Sequence, residues 1–479
     1  MTRFSYILPA LLLLTLFNSC EKTESRAPVL SDSKEILNFH LRIQNGSSID
    51  SVEATVSIGA DSIIALIPAG VNRTSLIPII TISGVQVIPV SGVALDFSAP
   101  VTFTVTAEDG STKNYTAVVN NAVPVIQEAL VYFGNVDGGF YALDALTGAL
   151  KWRRFANGGF SYAAPAYSDG KIYTTNTTGT IYCYDALTGS TIWEFSPGGT
   201  QQSSESSPTI ANGAVFFGVN SDEMISLDAT TGALRWRFQA GQNVSTSAVI
   251  HNGVVYFSAS DSKAYAVDFN TGQLIWQTSI PGSTVFAGPT YHSGTIYTSS
   301  GFGFLHALNA ATGAQNWRFS ADSFSLSYGS PAIVDNVLFI GSANRYQDFT
   351  RKGSLYAINA TNGQLVWQAL DNIGFYTSPS IEGDRLFIAG YTGLYAVNRH
   401  TGALIWEKLS VAPNSASPLV ANGIVYQGSG GSHWFFAFNA ATGAELWRYP
   451  STSNISAPLV VYHGSPTVAY HSSRSGMIQ

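Results

Sequence analysis

An all-β chain is expected, an eight-bladed β-propeller with tryptophan-docking motifs preceded by a small β-sandwich, and three observations carry that expectation. The composition is that of strands and tight turns, with 45 glycines, 12% aromatic and only 11% charged residues in 479. A segment of about twelve residues recurs eight times from YALDALTGALKW (ending at Trp152) to FAFNAATGAELW (ending at Trp447), with the motif tryptophans 41, 43, 40, 41, 50, 39 and 41 residues apart. Between the motifs, apolar and polar residues alternate with period two, and no 3.6-residue periodicity is found. A repeat near 40 residues built of several short strands is the signature of a propeller.

Residues 1–20 stand outside the fold. Arg3 followed by ILPALLLLTLF and NSC reads as an export signal, too short to span a membrane. A polar linker occupies 21–33. From 34 to 120, ATVSI, LIPIITISGV and FTVTAEDGSTKNYTAVV alternate as half-buried strands do. The last of these is a hairpin turning at Asp109-Gly110, with Phe103, Val105, Tyr115 and Ala117 on one face. Its expected role is a spacer.

Residues 121–479 form the propeller. One unit divides into strand A in AAPAYSDG, B in KIYTTN, C in TIYCYDA and D in STIWEF. Glycine at the C-to-D turn supplies a positive φ, and an Asp or Asn before it (Asp144, Asp185, Asp228, Asp268, Asn309, Asn359, Asn398, Asn439) can hydrogen-bond the turn. The indoles of Trp152, Trp193, Trp236, Trp276, Trp317, Trp367, Trp406 and Trp447 are structural docking groups. A blade is apolar on both faces, and each indole removes about 150 to 250 Å² from water at a joint, about 4 to 6 kcal/mol before entropy is subtracted. Closure has two mutually exclusive readings: Ser456 to Tyr462 completes the first blade as its strand A, or VPVIQEA near Pro124 does.

The net charge of -7 excludes the electrostatic attraction that drives nucleic-acid binding. With Cys20 in the export signal, Cys183 is alone and is expected to be a buried small residue. The eight histidines are scattered without zinc spacing, and no metal site is expected. No nucleophile elbow or P-loop occurs, and GFGFLH near Gly301 lies on a β-hairpin with no helix after it, so it is not a dinucleotide fingerprint.

Several stretches resemble known families. Phe17-Asn18-Ser19-Cys20 resembles a lipobox, which implies lipidation at Cys20 and an outer-membrane lipoprotein facing the periplasm or the cell surface. DFSAPVTFTVTAEDGSTKNYTAVV resembles the Ig-like modules near the N-terminus of Bacteroidetes surface lipoproteins. ALDALTGALKW and CYDALTGSTIW resemble the docking repeat of pyrroloquinoline quinone (PQQ) dehydrogenases and of BamB, the propeller lipoprotein of the outer-membrane β-barrel assembly machine. The dehydrogenase resemblance implies an axial quinone with calcium, a Glu, Asn and Asp set, a catalytic Asp and adjacent cysteines. This chain lacks adjacent cysteines, and Glu205 is the only carboxylate in the segments just before the A strands. No PQQ or calcium is therefore expected, and no catalytic residue is assigned.

The D-to-A and B-to-C loops share one face of a four-stranded meander, here called the variable face, and the Thr-Gly turns occupy the other, the motif face. Phe160, Tyr162, Gln202, Glu205, Phe286, Tyr328, Arg345, Tyr346, Tyr376 and Trp434 fall on the variable face and form the candidate binding rim, since aromatic and arginine side chains dominate recognition surfaces. The expected function is a non-catalytic, lipid-anchored, monomeric envelope protein binding a protein or glycan partner. The alternatives are a PQQ-dependent oxidoreductase and a polysaccharide-active propeller enzyme.

Overall fold

A computed structural model describes residues 30–45, 48–52, 54–67, 71–121, 125–160, 163–198, 204, 206–282, 287–321, 325–326, 328–344, 352–409, 411, 416–465 and 468–471. All of its regular elements are β-strands. The chain divides into two compact units, Met1–Val123 and Pro124–Gln479.

The first unit contains two sheets. One has the order Ser48–Ser51, Ile36–Asn45, Leu76–Ile82; the other has the order Thr55–Ile58, Ser62–Ile67, Thr112–Asn121, Val101–Thr106, Gln86–Ile88. The hairpin pairs Phe103 with Tyr115, and both are fully buried with Val105 and Ala117. They pack with Phe39, Leu41 and Phe97 into one core.

Among the described residues, the second unit contains eight sheets. Blade 2 shows the plan: A Ala166–Ser168, B Lys171–Thr175, C Ile181–Asp185 and D Thr191–Phe195, each paired antiparallel with the next. Blades 3 to 8 repeat it, with A strands Thr209–Ala211, Val249–His251, Thr290–His292, Ala332–Val334, Ser380–Glu382 and Leu419–Ala421. In blade 1, strand A is Leu459–Ser465 and strand B is Val125–Gly134. The C-terminal segment thus completes the first blade. VPVIQEA instead leads into strand B, because Tyr132 pairs with Leu459 on one side and Ala142 on the other.

The eight tryptophans connect these sheets in a cycle. Each indole N–H donates to a backbone carbonyl after strand C of the next blade: Trp152 to Ala186, Trp193 to Ala229, Trp236 to Phe269, Trp276 to Ala310, Trp317 to Ala360, Trp367 to Arg399, Trp406 to Ala440 and Trp447 back to Ala145, at 2.9 to 3.1 Å. At four joints a tyrosine hydroxyl (Tyr132, Tyr173, Tyr297, Tyr426) donates to the same carbonyl. Across strands C and D the tryptophan faces a small residue, Ala142, Ser226 or Ala266 for example, and in blade 2 that seat is Cys183 opposite Trp193. Burial pushes the Cys183 thiol up to about 12, so at neutral pH it is an inert small apolar group.

The turn glycine is required twice over. At Gly148, Gly189, Gly232, Gly272, Gly313, Gly363, Gly402 and Gly443, φ lies between 67° and 73°. At each of them a Cβ would come within 2.5 to 2.8 Å of the preceding blade's indole. The Asp or Asn before the turn accepts two backbone N–H bonds there, as Asp268 does from Asn270 and Thr271 and Asn309 does from Ala311 and Thr312. The Thr271 hydroxyl and the turn amides hold the Asp268 carboxyl below its ordinary value. Asparagine serves equally in blades 5 to 8, so acceptance of the bonds, not charge, is what the position needs.

Candidate functional site

At the axis, the residues just before the A strands form a belt: Ala164, Ser207, Ser247, Gly288, Ser330, Ser378, Ser417 and Ala457. The amides of Ala164, Ser207, Gly288, Ser330 and Ser378 each donate to the serine Oγ of the next blade, Ser207, Ser247, Ser330, Ser378 and Ser417, at 2.8 to 3.1 Å. The belt is interrupted where the next residue, Gly288, Ala457 or Ala164, has no hydroxyl. None of its side chains is more than 3% exposed, so at this level the axis is closed to water.

These donors do not fit a calcium-bound quinone. A hard cation needs several oxygen ligands, preferably carboxylates, whereas the belt oxygens already accept amide bonds. Among the described residues no group of three His, Cys, Asp or Glu side chains comes together. Glu205, Tyr162, Gln202, Phe286, Arg345 and Tyr346 lie outside the described residues, as does Cys20.

The remaining rim candidates separate. Phe160 is not on the rim: it is 1% exposed. Gly134 has no side chain, and a Cβ there would meet the Phe160 Cβ at 2.2 Å, so the ring drops into the joint against Phe140 and Tyr182, with centroids at 5.3 and 6.0 Å. Tyr328 and Tyr376 are half-buried and meet edge to face, with centroids 4.9 Å apart, just before the A strands of blades 6 and 7. Trp434 is half-buried on strand C of blade 8, with the Arg448 guanidinium 4.8 Å from its ring.

Two aromatic residues that sequence reasoning passed over join this group. Phe302 and Tyr391, at the B-to-C turns of blades 5 and 7, are 49% and 38% exposed. Backbone bonds tie their loops to the tyrosine pair: Leu326 N–H donates to Ser300, and Tyr391 N–H to Gly374. GFGF and GYTG carry the signal, an aromatic residue in a turn whose counterparts in blades 2 and 3, NTTG and NSDE, are polar. The result is an arc of aromatic side chains over blades 5 to 8 of the variable face. Strand B of blade 1 starts on the motif face, so the chain enters the propeller opposite this arc.

His306, on strand C of blade 5, is a departure from the repeat. Blades 1, 2, 4, 6 and 7 have Tyr141, Tyr182, Tyr265, Tyr356 and Tyr395 at that place. The imidazole is fully buried, its Nδ1 lies 2.9 Å from Gln315 Oε1, and its Nε2 has no partner among the described residues. With Gln315 Oε1 accepting from Nδ1–H, Nε2 carries the lone pair. Burial lowers its pKa, and His463, facing Tyr132 in the closing strand, is lowered for the same reason. The unfolded chain binds a proton near pH 6.5 that the folded chain refuses, so stability is complete above that pH and declines as pH falls through it toward the depressed native value. His306→Tyr is expected to flatten part of this acid decline in melting temperature measured between pH 7 and 5; an unaltered pH profile would exclude His306 as a cause.

Comparison with known proteins places these features. The family described as outer membrane protein assembly factor BamB matches residues 154–286, 282–374 and 351–477. The family described as SGBP, N-terminal, matches residues 36–119. BamB from Moraxella catarrhalis is similar in structure, with a TM-score of 0.54 and 18% identity, covering 65% of this chain and 96% of that one. The quinohemoprotein alcohol dehydrogenase from Comamonas testosteroni has a TM-score of 0.53 and 14% identity, covering 67% and 75%. The designed protein Ika8 has a TM-score of 0.51 and 16% identity, covering 65% and 96%. At these identities the three structures share the fold alone. No curated protein matches the chain. A motif-bearing ring of tryptophan-docked blades, matched over most of its length by one family model, identifies the chain as a member of the PQQ-like propeller family of outer membrane protein assembly factor BamB, with an SGBP-type N-terminal module before the propeller.

Proposed function

We propose that this is a non-catalytic binding protein of the Bacteroidetes envelope, anchored by lipid on Cys20 and working without PQQ or calcium, whose propeller recognises a glycan on its variable face. The observation that carries this reading is the Tyr328–Tyr376 pair flanked by the exposed Phe302 and Tyr391. Aromatic rings cover the C–H faces of sugar rings with large contact area and few rotatable bonds. The arc depends little on charge, which suits a neutral polyhydroxylated ligand. The SGBP-type module and the BamB-like propeller both support a binding role.

Calorimetric titration with a panel of neutral oligosaccharides tests the reading. Tyr376→Ala is expected to weaken binding of the best ligand about tenfold or more, equivalent to about 1.4 kcal/mol. Wild-type affinity in both Tyr328→Ala and Tyr376→Ala would place the site elsewhere. Absence of heat with every glycan, together with capture of an envelope protein that the same substitutions abolish, would make the partner a protein. A one-to-one heat with PQQ and calcium would revive the oxidoreductase.

A further inference from the structure

Seven blades present strand A as their axial edge. Blade 1 has a fifth strand: Val468–His471 pairs antiparallel with Leu459–Ser465, on the edge away from strand B and therefore on the axial side. The register is Leu459 with His471, Val460 with Tyr470, Val461 with Ala469 and Tyr462 with Val468. The strand also runs beside Leu419–Ala421, strand A of blade 8. A strand paired in this way lies about 4.8 Å inside strand A, in the space that the axis would otherwise leave open.

Nothing in the blade itself calls for this strand, since four strands complete each of the other seven. Its position answers a different need. The serine belt closes the axis just above the A strands, but the A strands below it still turn backbone edge groups inward, and such groups need a partner or water. We infer that Val468–His471 is a built-in stopper for the motif-side end of the axis. It pairs with the axial edge of Leu459–Tyr462 and, with the belt, leaves the variable face as the side from which a ligand can approach the axis. The stopper is supplied by the same C-terminal hairpin that closes the ring, so sealing of the axis and closure of the ring arrive together in folding.

Hydrogen exchange read by mass spectrometry on the full chain and on a chain ending at Ser465 tests this. The shortened chain is expected to keep its folded blades, while the axial-facing amides of Leu459–Tyr462 and Leu419–Ala421 exchange at least about tenfold faster and those of blades 3 to 5 are unchanged. A double variant, Val461→Cys with Ala469→Cys, places thiols on directly opposed residues and should form a disulfide that slows exchange at the same amides. Unchanged exchange on shortening would overturn the inference, because the strand would then not cover that edge. Loss of protection in every blade would also overturn it, by showing the strand to be part of ring closure and not a separate stopper. Failure of the cysteine pair to cross-link would refute the register.

Discussion

Trp276→Ala is expected to lower the stability of the propeller by about 3 to 5 kcal/mol, the usual cost of deleting a buried aromatic side chain. Trp276 is 9% exposed between blades 4 and 5, donates to Ala310 O at 2.9 Å and packs tilted on Tyr256 with centroids 5.9 Å apart. Its loss opens a cavity where two blades meet, and neither blade can collapse into it without moving against its other neighbour. It also removes a donor from a carbonyl held at the joint. In a closed ring the weakening is not confined to one edge, because any joint that opens breaks the cycle. The check is the urea midpoint of the variant beside wild type. An unchanged midpoint would show that the indole is not a docking group.

Gly189→Ala is expected to cost about 2 to 5 kcal/mol from two sources that a control can separate. At φ of 67°, an L-residue pays about 1 to 2 kcal/mol for the left-handed conformation. In addition, the new Cβ would lie 2.6 Å from the Trp152 ring, and overpacking of this kind costs about 1 to 3 kcal/mol. Gly253 has φ of 76° and open space around its Cβ position. Gly253→Ala should therefore lose only the conformational part, about 1 to 2 kcal/mol. Equal losses at the two sites, read by thermal or urea unfolding, would mean that the indole does not press on the turn.

The repeat is so plainly legible because it encodes contacts between neighbours about 40 residues apart, and the same few atoms meet at every joint. Indole, turn glycine and capping Asp or Asn all fall inside one twelve-residue segment, so spacing alone exposes them. Cys183 is legible for the same reason: it sits in a register position that alanine or serine fills elsewhere. The rim is less legible. Phe160 looks like any other loop aromatic until Gly134, on a different strand, is found to leave the gap that takes its ring. Phe302 and Tyr391 sit in glycine-bearing turns, and attention to the glycines hides the aromatic residues beside them. The belt is half visible as a run of small residues, but its bonds join residues about 40 positions apart and depend on adjacent blades lying at one height.

The sequence by itself determined the blade, its four strands and the tryptophan joint, because period-two alternation and a fixed indole, glycine and cap are local patterns that one unit states in full. Only the tertiary structure decided how the ring closes. Two terminal segments can each be read as strand A of the first blade, and the choice between them rests on the ladder that pairs Tyr132 with Leu459, residues more than 300 positions apart. The tertiary structure likewise decided which aromatic side chains reach solvent, since a ring turns outward or inward according to the space left by a neighbour that its own segment does not contain.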